Sequence, residues 1–104
     1  MGFEIDIALI QKALEKGLKI QPKPRIHVKV NELGYGLEVW IISKGFEKMQ
    51  LHKRYDLIFD ILQRLVEKET RLKITQLAIF TPKEIGGQMP WEASPAKMEA
   101  AASK

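Results

Sequence analysis

The spacing of apolar residues changes across Gln21-Pro-Lys-Pro24, and that change dictates what this chain can fold into. Before it, Phe3, Ile7, Ile10 and Leu14, with Ile5, Leu9 and Leu18 less regularly, recur at three- and four-residue steps, the period of a helix with one buried face. Gly17 stands where such a helix ends. Neither proline continues it, because each lacks a donor N–H and restricts the residue before it, so the segment is a short extended connector. After it, Ile26, Val28 and Val30 alternate with His27 and Lys29, the period of a half-buried strand. Leu33-Gly-Tyr-Gly36 then supplies a turn and Leu37 to Ser43 a second strand, completing a hairpin.

The second strand is nearly apolar on both faces, with Glu38 and Ser43 as its polar breaks. That composition suits a central strand covered by helices on one side and partly covered on the other, with Trp40 read as core. Past a loop from Lys44 to Gln50, Leu57, Ile58, Ile61, Leu62, Leu65 and Val66 form a helical stripe, predicting a second helix from about His52 to Lys68. Asp56, Asp60, Arg64 and Lys68 lie outside the stripe and read as surface pairs. A strand at about Lys73 to Phe80 follows, and a strand, helix, strand run of this length predicts a parallel, right-handed crossover. Thr81-Pro-Lys-Glu84 reads as a short helix opening, Thr as cap and Pro at the first helical position, interrupted by Gly86-Gly87. The order is that of an α+β, αββαβ(α) two-layer sandwich: a three-stranded mixed sheet with helices on one face.

A length of 104 residues matches one domain, placed at residues 1 to 87. Residues 88 to 104, rich in Ala, Ser, Pro and charge, read as a flexible tail, with Trp91 expected to dock back on the domain. The absence of cysteine excludes disulfides, thiolate metal sites and cysteine nucleophiles. No Ser-His-acid set, metal-spaced His and carboxylate cluster or phosphate loop is present, so neither an enzyme nor a cofactor is expected. The N-terminal segment has no basic region before an unbroken apolar run, and no segment approaches the roughly 20 apolar residues that cross a bilayer. A cytoplasmic protein with no membrane association is expected.

The net charge is +4, and its excess is concentrated: residues 21 to 55 hold seven Lys and Arg against three acids. The candidate binding residues are Lys44, Lys48, His52, Lys53, Arg54 and Tyr55, around the loop and the start of the second helix. Basic side chains, an aromatic ring and a helix N-terminus suit an anionic partner. The plain alternative is a solvated surface that keeps a small domain soluble. His27, on the polar face of an early strand, reads as an ordinary surface or packing residue. His52 falls three residues before Tyr55, on the same helical face, and is a weak candidate metal ligand.

The block Phe46 to Leu62, with Phe46, Leu51, Arg54, Ile58, Phe59 and Leu62 as its matching positions, and the strand Leu77 to Glu84 resemble the BolA family. The resemblance covers about residues 5 to 85 and implies a class II KH-like fold. In that family an aromatic-led loop runs into a helix through Arg-His-Arg, and here Tyr55 stands where the family has its signature histidine. BolA-like proteins partner monothiol glutaredoxins and share an iron-sulfur cluster, the BolA side supplying that histidine and a ligand from the hairpin loop. Neither histidine nor cysteine occurs in the loop Asn31 to Gly36, and tyrosine is a poor cluster ligand, so the resemblance implies the protein contact without the family's cluster ligands. The competing expectation is a KH-like module for RNA or DNA. The Gly-X-X-Gly loop of such modules is absent between the helices, as it is in BolA-like proteins, which are also associated with DNA binding and transcriptional regulation.

Overall fold

A computed structural model describes residues 2 to 86. Its elements are α1 (Glu4–Gly17), β1 (Arg25–Val30), β2 (Leu37–Ile42), a 3-10 turn (Lys44–Phe46), α2 (Leu51–Leu65), α3 (Lys68–Arg71) and β3 (Ile74–Phe80). The tail from residue 88, with Trp91, lies outside the described residues. β1 and β2 pair antiparallel and β2 and β3 parallel, giving the order β1-β2-β3 with β2 central, the mixed sheet expected.

The apolar periods explain which side of each element is covered. Leu37, Val39 and Ile41 alternate along β2 onto one sheet face and pack with Val28 and Ile79. The same cluster takes Ile10, Ala13 and Leu14 from α1 and Ile58, Ile61 and Leu62 from α2. The two helices therefore cover the same face. On the other face Trp40 and Phe80 lie in neighbouring strands, ring centroids 6.2 Å apart.

Two local expectations are corrected. The second helix does not run to Lys68: it stops at Leu65, Val66 and Glu67 turn extended, and α3 follows. The cause is burial, because Val66 leaves the helix to join the core and Thr70 on α3 reaches inward. Thr81-Pro-Lys-Glu84 forms a turn, with no helix among the described residues, although the Thr81 hydroxyl accepts the Glu84 N–H as a cap would.

Thr70 and Lys73 meet Asp6, a carboxylate buried on the apolar side of α1. The Thr70 hydroxyl donates to its Oδ1 at 2.9 Å and the Lys73 ammonium to its Oδ2 at 2.8 Å. These bonds hold the Asp6 carboxyl below the usual carboxylate range, Lys73 contributing most. A depressed folded value means that the ion's stabilisation is present above the unfolded value and lost as pH falls through the folded one. The melting temperature of the wild type is expected to fall in acid below about pH 4, whereas Asp6→Asn melts lower at neutral pH and loses part of this acid dependence. Parallel melting curves of the two proteins from neutral to acid pH would contradict this.

Candidate binding face at the start of the second helix

Ser43 opens the connection from β2. Its hydroxyl accepts the Gly45 N–H at 3.0 Å and donates to the Pro22 carbonyl at 2.9 Å, across a cis Gln21-Pro22 peptide. Gly45 suits this close approach, because a Cβ there would sit 3.0 Å from the Gln21 carbonyl oxygen and 3.3 Å from Ile20, tighter than an ordinary contact. Phe46 then turns fully into the core, so its neighbours Lys44, Glu47 and Lys48 are left on the outside. This pinned turn delivers the chain to α2.

The first turn of α2 is unusual in its charge. Gln50 caps it without a side-chain hydrogen bond, and no acid occupies the turn. Helix N-termini carry a partial positive charge that acids normally offset by about 0.3–1 kcal/mol each. Here His52 and Lys53 are exposed instead, as are Lys44 and Lys48 in the preceding connection. Among the described residues none of these four belongs to an ion pair. The one acid of this connection, Glu47, is exposed as well.

Arg54 and Tyr55 occupy other roles. The Arg54 side chain is 7% exposed; its Nε donates to the Met49 carbonyl at 3.3 Å and a terminal nitrogen donates to Glu84 Oε1 at 2.8 Å. Glu84 Oε1 also accepts the Thr81 N–H at 2.8 Å, while the Glu84 N–H donates back to the Thr81 hydroxyl at 3.2 Å. The guanidinium first and the Thr81 amide second hold the Glu84 carboxyl below its usual range. Arg54 thus ties the start of α2 to the turn that follows β3. The Tyr55 ring packs half-buried against the core, 6.2 Å from that of Phe59, and its hydroxyl donates to the Leu77 carbonyl at 3.0 Å.

Of the six residues singled out by sequence, Lys44, Lys48, His52 and Lys53 are exposed, whereas Arg54 and Tyr55 turn inward. The Asp6 and Glu84 contacts were not foreseen. Their signals were a carboxylate inside the apolar stripe of the first helix and the Thr-X-X-Glu pattern after the third strand. His27 is half-buried, and burial first, with Lys29 second, pushes its pKa down. Among the described residues no group of three His, Cys, Asp or Glu is placed to hold a metal ion, and no helix is long and apolar enough to cross a membrane.

No protein-family model matches the sequence, and no curated protein does. Solved structures do match. BolA1 from Arabidopsis thaliana aligns with a TM-score of 0.53 and 26% identity, over 76% of this chain and 94% of that one. A bol-like protein from Babesia bovis aligns with a TM-score of 0.52 and 21% identity, over 84% of this chain and 96% of its own. The α+β order, the mixed sheet with helices on one face and these two alignments agree: the chain has a BolA-like fold.

Proposed function

We propose that this chain is a small, non-catalytic BolA-family binding and regulatory module whose basic face takes an acidic protein surface, with a monothiol glutaredoxin as the partner the resemblance implies. The observation that carries this reading is the exposed set Lys44, Lys48, His52 and Lys53, without ion pairs among the described residues, at a helix start that no acid caps. Opposite charge across an interface steers association and selects the partner.

The chain's donors do not fit a shared iron-sulfur cluster. At the family's histidine position Tyr55 offers a phenol already bonded to Leu77, and in the hairpin loop Asn31 is engaged with Thr75 and the Tyr35 amide. Clusters take thiolate or imidazole. The reading is therefore a protein contact without cluster ligation by those positions.

The open helix start also favours the second reading, RNA or DNA, since backbone N–H groups and lysines attract phosphate. With its ring packed and its hydroxyl engaged, Tyr55 gives that reading no free stacking platform.

One experiment separates them. The full chain and its Lys44→Glu, Lys48→Glu, Lys53→Glu variant, with Arg54 untouched, are titrated with a monothiol glutaredoxin and with mixed short RNA and DNA, at low and near-physiological salt, following assigned amides. Glutaredoxin is expected to shift amides around residues 44 to 55, and the variant to bind it at least about tenfold more weakly. Oligonucleotide shifts there that persist at the higher salt would replace this reading with the nucleic-acid one. A response to neither ligand would refute both.

A further inference from the structure

A second surface is formed where α2, α3 and β3 enclose a concavity of about 490 Å³, which none of Lys44, Lys48, His52 and Lys53 lines. Its floor is apolar, made by buried Leu62 with half-buried Ile74 and Leu77. Its walls carry large apolar side chains that the core does not use: Phe59 is 55% exposed and Leu72 is 72% exposed. Scattered exposed apolar residues are ordinary, but two of this size facing one apolar concavity mark a binding groove.

The rim has a sign. Lys68 and Arg71 line the groove and no carboxylate does; Glu67 and Glu69 are on the same segment but not on the lining. The Arg71 Nε donates to the Val66 carbonyl at 3.0 Å, which fixes that cation in place, whereas Lys68 is exposed and without an ion pair among the described residues. An apolar floor, protruding anchors and a cationic rim describe the complement of an acidic amphipathic peptide.

We infer that this groove docks a short segment of a partner protein, seating apolar anchors against Phe59 and Leu72 and placing flanking carboxylates at Lys68 and Arg71. The groove is lined by none of Lys44, Lys48, His52 and Lys53, so its variants test it separately from the proposed basic face.

The test uses the full chain and two fluorescein-labelled peptides, read by anisotropy and by amide shifts. Both carry Leu and Phe anchors at helical spacing; one is flanked by glutamates and the other by lysines. The acidic peptide is expected to bind at least about tenfold more tightly, with shifts at Phe59 and from Lys68 to Ile74. Leu72→Ser and Lys68→Glu are each expected to weaken it by about tenfold with melting unchanged, because both side chains are at the surface. Lys68→Glu also narrows or reverses the preference between the peptides, which a folding defect would not do. The inference is overturned by no saturable binding, by equal affinity for the two peptides, or by shifts confined to residues 44 to 55. It is overturned equally if sedimentation shows the groove filled by a second copy, as a dimer that Leu72→Ser dissolves.

Discussion

Phe46→Ala is expected to cost about 3–5 kcal/mol, the range for emptying a fully buried aromatic site. In a small domain this consumes most of the roughly 5–15 kcal/mol that separates folded from unfolded chain. Phe46 sits on the 3-10 turn that leads into α2 and is wholly inside the core, packed with strand and helix residues. The neighbouring exposed Leu51→Ala is expected to change stability by less than about 0.5 kcal/mol, so hydropathy alone does not predict the difference. Urea unfolding of the two variants checks this: comparable midpoints would mean that Phe46 is not the pin. Where Phe46→Ala still folds, the turn that carries Lys44 and Lys48 is no longer pinned to the core, and affinity at the proposed basic face should fall although no charge has been removed.

Arg54→Glu is the second large effect. Its side chain is almost wholly buried and its partner is Glu84, so the substitution removes one ion and sets a carboxylate against another. Removing one member of a wholly buried pair costs about 3–5 kcal/mol; with Glu84 42% exposed the loss here is expected to be smaller, about 1–3 kcal/mol, and the added repulsion acts in the same direction. Lys53→Glu, one position earlier and exposed, is expected to stay within about 0.5 kcal/mol. The pair must therefore not be reversed together when binding is mapped. Loss of binding in a double variant reports unfolding at Arg54 as readily as a missing contact at Lys53. Thermal melts of the two single variants settle this, and equal melting temperatures would overturn the structural role of Arg54. Glu84→Gln is expected to be milder, since the Glu84 side chain is 42% exposed and the amide oxygen still accepts from both donors.

Why sequence separated some of these roles and not others follows from geometry. The first helix, the hairpin and the parallel crossover were legible because their apolar periods are regular and bounded by proline and glycine. The break at Val66 was not, because a β-branched apolar residue continues a helical stripe on paper; only the core decides that it leaves the helix. α3 lay hidden for the same reason, as four residues of charge and threonine carry no period. At the candidate site, Lys53 and Arg54 are both cations beside each other in the chain. Successive helical residues point about 100° apart, so one faces solvent and the other the Thr81 turn. The apolar stem of arginine and its flat guanidinium suit such a half-apolar niche, which composition does not reveal. Tyr55 was singled out for the position that a family resemblance gives it, whereas what it does here depends on a carbonyl 22 residues away.

The Asp6 cluster has a consequence for the making of the chain. Its two partners lie 64 and 67 residues downstream, so on a ribosome adding about 5–20 residues per second the carboxylate waits roughly 3–13 s for them. During that time α1 has no strand β3 entrance to dock against, and its apolar stripe is interrupted by one ionised group. The charge that later ties the first helix to the segment leading into β3 first keeps that helix hydrated, and the emergence of residues 70 to 73 is what changes one role into the other.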